Sequence, residues 1–591
     1  MDQPWRSAGL KRKRHGVLAA LGMLALSHGP CTDPIELARA GEPAAPSVPA
    51  ATQFPLKQVV QQNPYPFIPP QCYTKTIDSA GKPHNPCFTC HVGSRAPNFI
   101  NDGEVQQSYD FVPAARLNRW TNLFVDWASL GASSSTEEIL AYVRTSNYFD
   151  PAGEILLARQ LSALPGEWDY KGDGRWSGYI PDARFQFDGA GFDRLPNGAY
   201  TGWRAYAYYP LPGTFWPTNG SMGDALVRLP EAFRQSESGA SDSRIYDINL
   251  AIVEALILRR DVLLEPTEER HLGVDLDLDG RLGIARSVRF SDAAELRMHY
   301  VGKARLELAA GRVHLAPGLF PEGTELLHSV RYLDPTDAGV VMAARFKELR
   351  YARKAEWWTG ARLDRRAQNE AEEKVDTPAE VRALGGDLER GVSNGQGWWY
   401  QGFIEDGAGA LRPQSFEETA YCVGCHGGLG RTDDSVFSFG RRLGPLTFQR
   451  GWFHWTDRDL SGVPDQPIHG GTSTEYVKYL EQNGAADEFR QNGEAFAKFF
   501  DSQGRLKPDM LRRLRRDISE LIVPSRERAL ALNKAYRALV RTQRFSAGRD
   551  VVLGGAVEVH KSLPPGERTG VARPIAPGWN GTEFFPDSAA E

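Results

Sequence analysis

The chain has 591 residues, several times the roughly 100–200 typical of one domain, so more than one folded unit is expected. Its 41% hydrophobic and 24% charged residues are those of an ordinary globular protein and exclude a collagenous, disordered or multi-span membrane chain. The formal charge of −5 includes a basic leader, so the remainder is more acidic still, which argues against nucleic acid as a partner.

Lys11, Arg12, Lys13 and Arg14 precede an apolar run from Val17 to Leu26. That run is too short to span a bilayer but fits the charged and apolar regions of a secretory signal, assigned to residues 1–27. Export follows, to the periplasm or the cell surface. Ala25-Leu26-Ser27 satisfies a small-x-small cleavage rule. Cys31 offers a lipoprotein reading, yet Pro30 and His28 fit a lipobox poorly, so membrane association is expected only if Cys31 is lipidated. Residues 28–60 are a linker rich in Pro and Ala. Later in the chain, Ile245 to Leu264 is broken by Asp247, Asn249 and Glu254 and does not reach transmembrane character.

The first chemical motif, Cys87-Phe88-Thr89-Cys90-His91, lies in a region assigned to 61–150; the second is Cys422-Val423-Gly424-Cys425-His426. Two thiols at this spacing reach the two vinyl groups of one porphyrin edge, and the adjoining imidazole approaches the iron from one face. The reading is two haem c groups, covalently held by Cys87, Cys90, Cys422 and Cys425, with His91 and His426 as proximal iron ligands. A thioredoxin-like pair would need a βαβ context, which Pro69, Pro70 and Pro86 interrupt, and zinc would need four ligands per site. Cys31 and Cys72 remain, either paired with each other, separated by processing, or leaving Cys72 a lone buried thiol.

The capping box Ser135-Thr136-Glu137-Glu138 predicts a helix through Val143. Residues 151–240, rich in Gly, Pro and aromatics, read as short strands and long loops, and a helix is expected at 243–262. Asp275, Asp277 and Asp279 with Gly280 then reproduce the first half of an EF-hand-type loop, with the Arg281 main-chain carbonyl as a further ligand for Ca2+. Arg286 stands where the bidentate Glu belongs, so a ligand from elsewhere must complete the site. Arg305–Leu308 and Thr324–Leu333 alternate and predict strands; a helix is expected over 337–358. After His426 the apolar spacing predicts helices at 474–482, 485–500, 508–522 and 525–543. The cluster Arg512-Arg513-Leu514-Arg515-Arg516 reads as the solvated face of one of these, or as a docking patch for an acidic partner.

None of the four methionines beyond the leader follows a Cys-x-x-Cys-His motif closely, so the sixth iron ligands are sought among histidines. His454 and His469 follow the second motif, while His328 and His314 lie on expected strands.

Through residues 87–91 and 422–426 the chain resembles the c-type cytochrome superfamily, and its layout is loosely similar to di-haem peroxidases and rubber oxygenases. The resemblance implies single-electron transfer with a redox partner protein or, as the alternative, oxidoreductase chemistry at an open haem; catalytic residues are not assigned. The expected fold class is α+β, with mainly helical haem-binding regions at both ends (61–150 and 341–591) and a strand- and loop-rich part, 151–340, between them.

Overall fold

The computed structural model describes residues 113–567 apart from 213–216, 294–296, 378, 381, 428–431, 437, 444–451, 453, 468–472 and 484–491, together with 56, 68–77, 81, 83–84 and 111. The leader, Cys31, the first motif (Cys87, Cys90, His91) and His469 lie outside the described residues.

The centre is a nine-stranded antiparallel sheet. From one edge its strands run Gly386–Asp387, Gly391–Ser393, Trp398–Glu405, Gly339–Lys354, Glu325–Thr336, Ala225–Arg228, Tyr200–Tyr206 and Phe192–Arg194, with Leu411–Pro413 paired to Trp398–Glu405. The axis is the long hairpin Glu325–Thr336/Gly339–Lys354, whose pairing extends from Thr336↔Gly339 to Glu325↔Arg353.

This overturns the expectation of a strand-rich middle between mainly helical ends. Strands on both sides of residue 340 belong to one sheet, and the region after 341 supplies four of its strands and most of a fifth, Gly339–Lys354. The helix expected over 337–358 is the strand Gly339–Lys354. Its apolar residues could be fitted to a helical stripe, but a two-residue turn between the paired Thr336 and Gly339 and a long partner strand decide the local structure, and tertiary pairing overrides a weak helical period. The reverse happens at Arg305–Leu308, which lies in the helix Lys303–Ala309. A four-residue alternation is too short to distinguish the two.

Several other elements follow the sequence closely. Ser135 caps the helix Thr136–Arg144 with a complete capping box, Ser243–Leu258 is a helix buried along most of its length, and Arg526–Thr542 is a third, capped by Ser525. The expected helix at 508–522 is divided into Pro508–Leu514 and Ser519–Ile522. In the long buried helix, polar Asn249 is satisfied by the Phe233 and Val301 backbone, and Glu254 is paired with Arg442. Among the described residues no helix is long and apolar enough to cross a membrane.

One core cluster bears directly on the motifs. Cys72, Tyr73, Phe111, Trp120 and Leu123 pack with Ala420, Val552 and Val559, and the Trp120 ring meets Tyr421 edge-on at 4.9 Å. Residues flanking the first motif therefore share a core with the helix that carries the second. Cys72 is a buried thiol within it, in no disulfide.

Candidate functional site

The second motif occupies the last turn of the helix Phe416–His426. That helix forms where it does because Ser415 and Glu418 make a reciprocal capping box: the Glu418 amide donates to Ser415 Oγ at 3.2 Å and the Ser415 amide to Glu418 Oε2 at 2.9 Å. Arg412 clamps Glu418 with two further bonds, at 2.8 and 2.9 Å. Cys422, Cys425 and His426 stand at i, i+3 and i+4, which are neighbouring positions on one helical face. Both thiols are half-buried, and neither is in a disulfide.

His426 is held on three sides. Its Nδ1 lies 3.3 Å from the Ser435 carbonyl oxygen. A carbonyl only accepts, so Nδ1 carries the proton and Nε2 is the nitrogen with the ligating lone pair. Its ring stacks on Tyr400 with centroids 5.2 Å apart, and Asn394 Nδ2 donates to its carbonyl oxygen at 3.1 Å.

Ser435 is itself fixed by an unusual neighbour. Lys354 and Asp434 form an ion pair at 2.6 Å with both side chains at 0% exposure. Asp434 also accepts the Phe320 amide at 3.1 Å. Burial pushes the Asp434 carboxyl up, and Lys354 pulls it back down. Asp434 and Ser435 both have positive φ, 58° and 67°, a conformation that non-glycine residues adopt only where surrounding contacts hold them.

Beside Cys422 lies a buried charged group. Arg350 and Arg549 each donate to Glu348 Oε2 at 2.8 Å. Burial alone would raise Glu348, but the two guanidiniums hold it down to about 2. His328 sits across the strand pair from Arg350. Burial first, then the Arg350 charge and that of His426, push its pKa down to about 3, so its imidazole is neutral at ordinary pH.

The other histidine candidates are elsewhere. His454 lies against Phe187 with tilted rings, centroids 4.5 Å apart, and bonds through Nδ1 to Thr456 Oγ1 at 2.9 Å. Thr456 in turn donates to the buried Asp224 at 2.7 Å. His314 is exposed in a loop, its ring parallel to Trp357 at 4.0 Å, where a strand was expected. Among the described distal candidates, His328 is the one whose charge interacts with His426.

The acidic loop folds as its spacing requires, with Leu278 and Gly280 at positive φ. Carboxylate oxygens of Asp275, Asp277 and Glu269 come within 4.8 Å of one another. Glu269 is 1% exposed and accepts the Leu276 amide at 2.6 Å and the Gly283 amide at 2.8 Å. Asp279 instead accepts the Arg281 amide at 2.8 Å. Burial first, then repulsion from Glu269 and the neighbouring aspartates, raises the Asp277 carboxyl. Sequence spacing missed Glu269 because it precedes the loop, whereas an EF-hand places its closing carboxylate after it; the acidic pair Glu268-Glu269 was the available signal.

Residues 56–515 match a family of lipoproteins. An uncharacterized lipoprotein of Aquifex aeolicus (strain VF5) is 29% identical over 553 residues, covering 83% of this chain and 86% of that protein. No solved structure matches. These matches overturn the assignment to the c-type cytochromes, and with it the expected electron-transfer function, its peroxidase- or oxygenase-like alternative and the cytochrome and electron-transfer vocabulary, and they leave haem without support from kinship. The earlier resemblance rested on two five-residue segments, which are compatible with many scaffolds, while the family match runs through most of the chain. A lipoprotein is an exported protein associated with a membrane or cell surface, in keeping with the N-terminal leader. By a match that extends from residue 56 to residue 515, the chain belongs to this lipoprotein family.

Proposed function

We propose that this lipoprotein is a cofactor-holding protein of the cell envelope, acylated at Cys31 and facing the periplasm, with a prosthetic group bound covalently at the helix end Cys422–His426. Family membership raises Cys31 above the competing Ala25-Leu26-Ser27 cleavage, despite the imperfect lipobox around it. The observation that supports the bound group is the bond from His426 Nδ1 to the Ser435 carbonyl. It leaves Nε2 as the ligating atom, one turn from the thiols of Cys422 and Cys425.

That donor set, two thiols and an oriented imidazole, fits haem c, and the like-spaced residues Cys87, Cys90 and His91 would hold a second group. When bound, such a group supplies an iron centre whose properties the protein sets through ligands, hydrogen bonds and burial. Here His426 offers the ligand, Tyr400 restrains its ring, and Arg350 and Arg549 place positive charge beside Cys422. His328, neutral and within reach of the His426 charge, would be the candidate for a further ligand to such a group. Ca2+ held by Glu269, Asp275 and Asp277 would pin the loop 273–283, relieving the repulsion that raises Asp277.

The test is chemical. Protein made in a host that matures exported haem proteins is denatured, run on a gel and stained for covalent haem. Staining that falls by about half in C422A/C425A supports the site; a full-length chain that carries no covalent chromophore overturns it. Acylation is read separately, from the mass of the mature N-terminal peptide and its loss in C31A.

A further inference from the structure

The chain is acidic overall, yet residues 498–516 contain seven Lys or Arg against two Asp. Four of these cations are concentrated at one place. Arg512 and Arg513 are in the last turn of the helix Pro508–Leu514, and Arg515 and Arg516 follow at its cap. All four are exposed, while Leu514 and Ile518 between and after them are fully buried. At about 100° per residue the four arginines cover an arc of roughly 160°, with the buried leucine and isoleucine opposite. The ridge is therefore held rigidly, base inward and charges outward.

Its charge is not cancelled locally. Arg512 meets Asp509 with both side chains more than half exposed, and Arg513 reaches Glu520 only at 3.9 Å; exposed pairs of this kind contribute little and are screened by salt. Glu520 is meanwhile engaged by Lys498 at 2.6 Å. Among the described residues Arg515 and Arg516 have no carboxylate partner.

We propose that this arginine ridge is a docking surface for anionic phospholipid headgroups, by which the folded body of the lipoprotein rests on the membrane surface. A lipoprotein is held beside a lipid surface, and bacterial phospholipid leaflets carry anionic headgroups among their lipids. A cluster of four outward guanidiniums is complementary to such a surface, with an attraction that acts within a Debye length and is screened by salt. Guanidinium also pairs bidentately with phosphate. The inference rests on lipoprotein membership and on the charge geometry, and is independent of any group bound at Cys422–His426.

To remove the covalent anchor from the readout, the full-length C31A chain is mixed with vesicles of phosphatidylcholine alone or of phosphatidylcholine with 30% phosphatidylglycerol (about that fraction suffices to make the surface strongly anionic), and binding is measured by co-sedimentation. The expected result is binding to the anionic vesicles only, lost in high salt and weakened on the order of 100-fold in the R512Q/R513Q/R515Q/R516Q variant. The corresponding four-lysine variant should retain most of it, and an unchanged thermal midpoint in both variants shows that the fold is intact. Binding that ignores phosphatidylglycerol, or that survives in the glutamine variant, overturns the proposal. So does a failure to bind anionic vesicles by a chain that captures an acidic protein through the same arginines.

Discussion

The Ser435 carbonyl oxygen stands 3.3 Å from His426 Nδ1, although Ser435 itself sits in a left-handed backbone conformation. The fully buried Lys354–Asp434 ion pair, one residue before it, is the only described charge pair holding that segment. Lys354 lies at the end of the long sheet strand, so the central sheet is linked through one salt bridge to the orientation of the imidazole.

Removing one member of this pair should be costly. Lys354→Met leaves the Asp434 carboxylate buried and uncompensated, and a loss of about 3–5 kcal/mol is expected. Denaturant unfolding of Lys354→Met against the parent measures it. The double variant Lys354→Met/Asp434→Leu should recover much of that stability while releasing Ser435; a double variant as unstable as the single would contradict the pairing account.

The helix that carries the motif depends on its first turn. Ser415→Ala removes the hydroxyl that accepts the Glu418 amide, a change expected to cost about 1 kcal/mol. Thermal unfolding should shift downward accordingly, whereas Ser415→Asp, which can still cap, should stay near the parent.

The buried carboxyl of Asp465 gives the molecule a specific pH dependence. It accepts bonds from Tyr209 Oη at 3.0 Å and from the Tyr476 and Val477 amides at 2.9 and 3.1 Å, yet burial pushes it up to about 7. The folded state thus retains a proton that the unfolded chain releases near pH 4. Its contribution to stability is fully present below about pH 4 and is lost as pH rises to about 7. Unfolding free energies measured between pH 5 and 8 should fall with this slope in the parent, and the slope should flatten in Asp465→Asn.

At the acidic loop, Ca2+ should raise the thermal midpoint of the parent by several degrees. Glu269→Gln and Asp277→Asn should each abolish most of that rise, and Arg281→Ala should leave it intact, because the Arg281 side chain is not among the converging oxygens. Calorimetry with and without a chelator distinguishes these outcomes. A rise of equal size in Glu269→Gln would remove Glu269 from the site.

What could be read in advance was local. The capping box at Ser135 and the helix Ser243–Leu258 were legible because their signals lie within one or two turns. The strand Gly339–Lys354 was not, because its structure is decided by partners on both sides, and residue-by-residue alternation was too irregular to announce them. The site divides in the same way. Cys422, Cys425 and His426 were evident from spacing, but Ser435, Asn394, Tyr400 and Lys354 reach His426 through the fold and carry no signature in the chain. Family membership was likewise invisible in two short motifs and becomes apparent only over hundreds of residues.

The central claim is that the helix end at Cys422–His426 holds a covalent prosthetic group. The most direct measurement is the absorption spectrum of the alkaline pyridine complex of the purified chain after denaturation and acid–acetone extraction. The account predicts a haem c spectrum that stays with the polypeptide, and that diminishes when Cys422 and Cys425 are both replaced by Ala. A chain from a haem-maturing host that is colourless, or whose colour is extracted by acid–acetone, would contradict it.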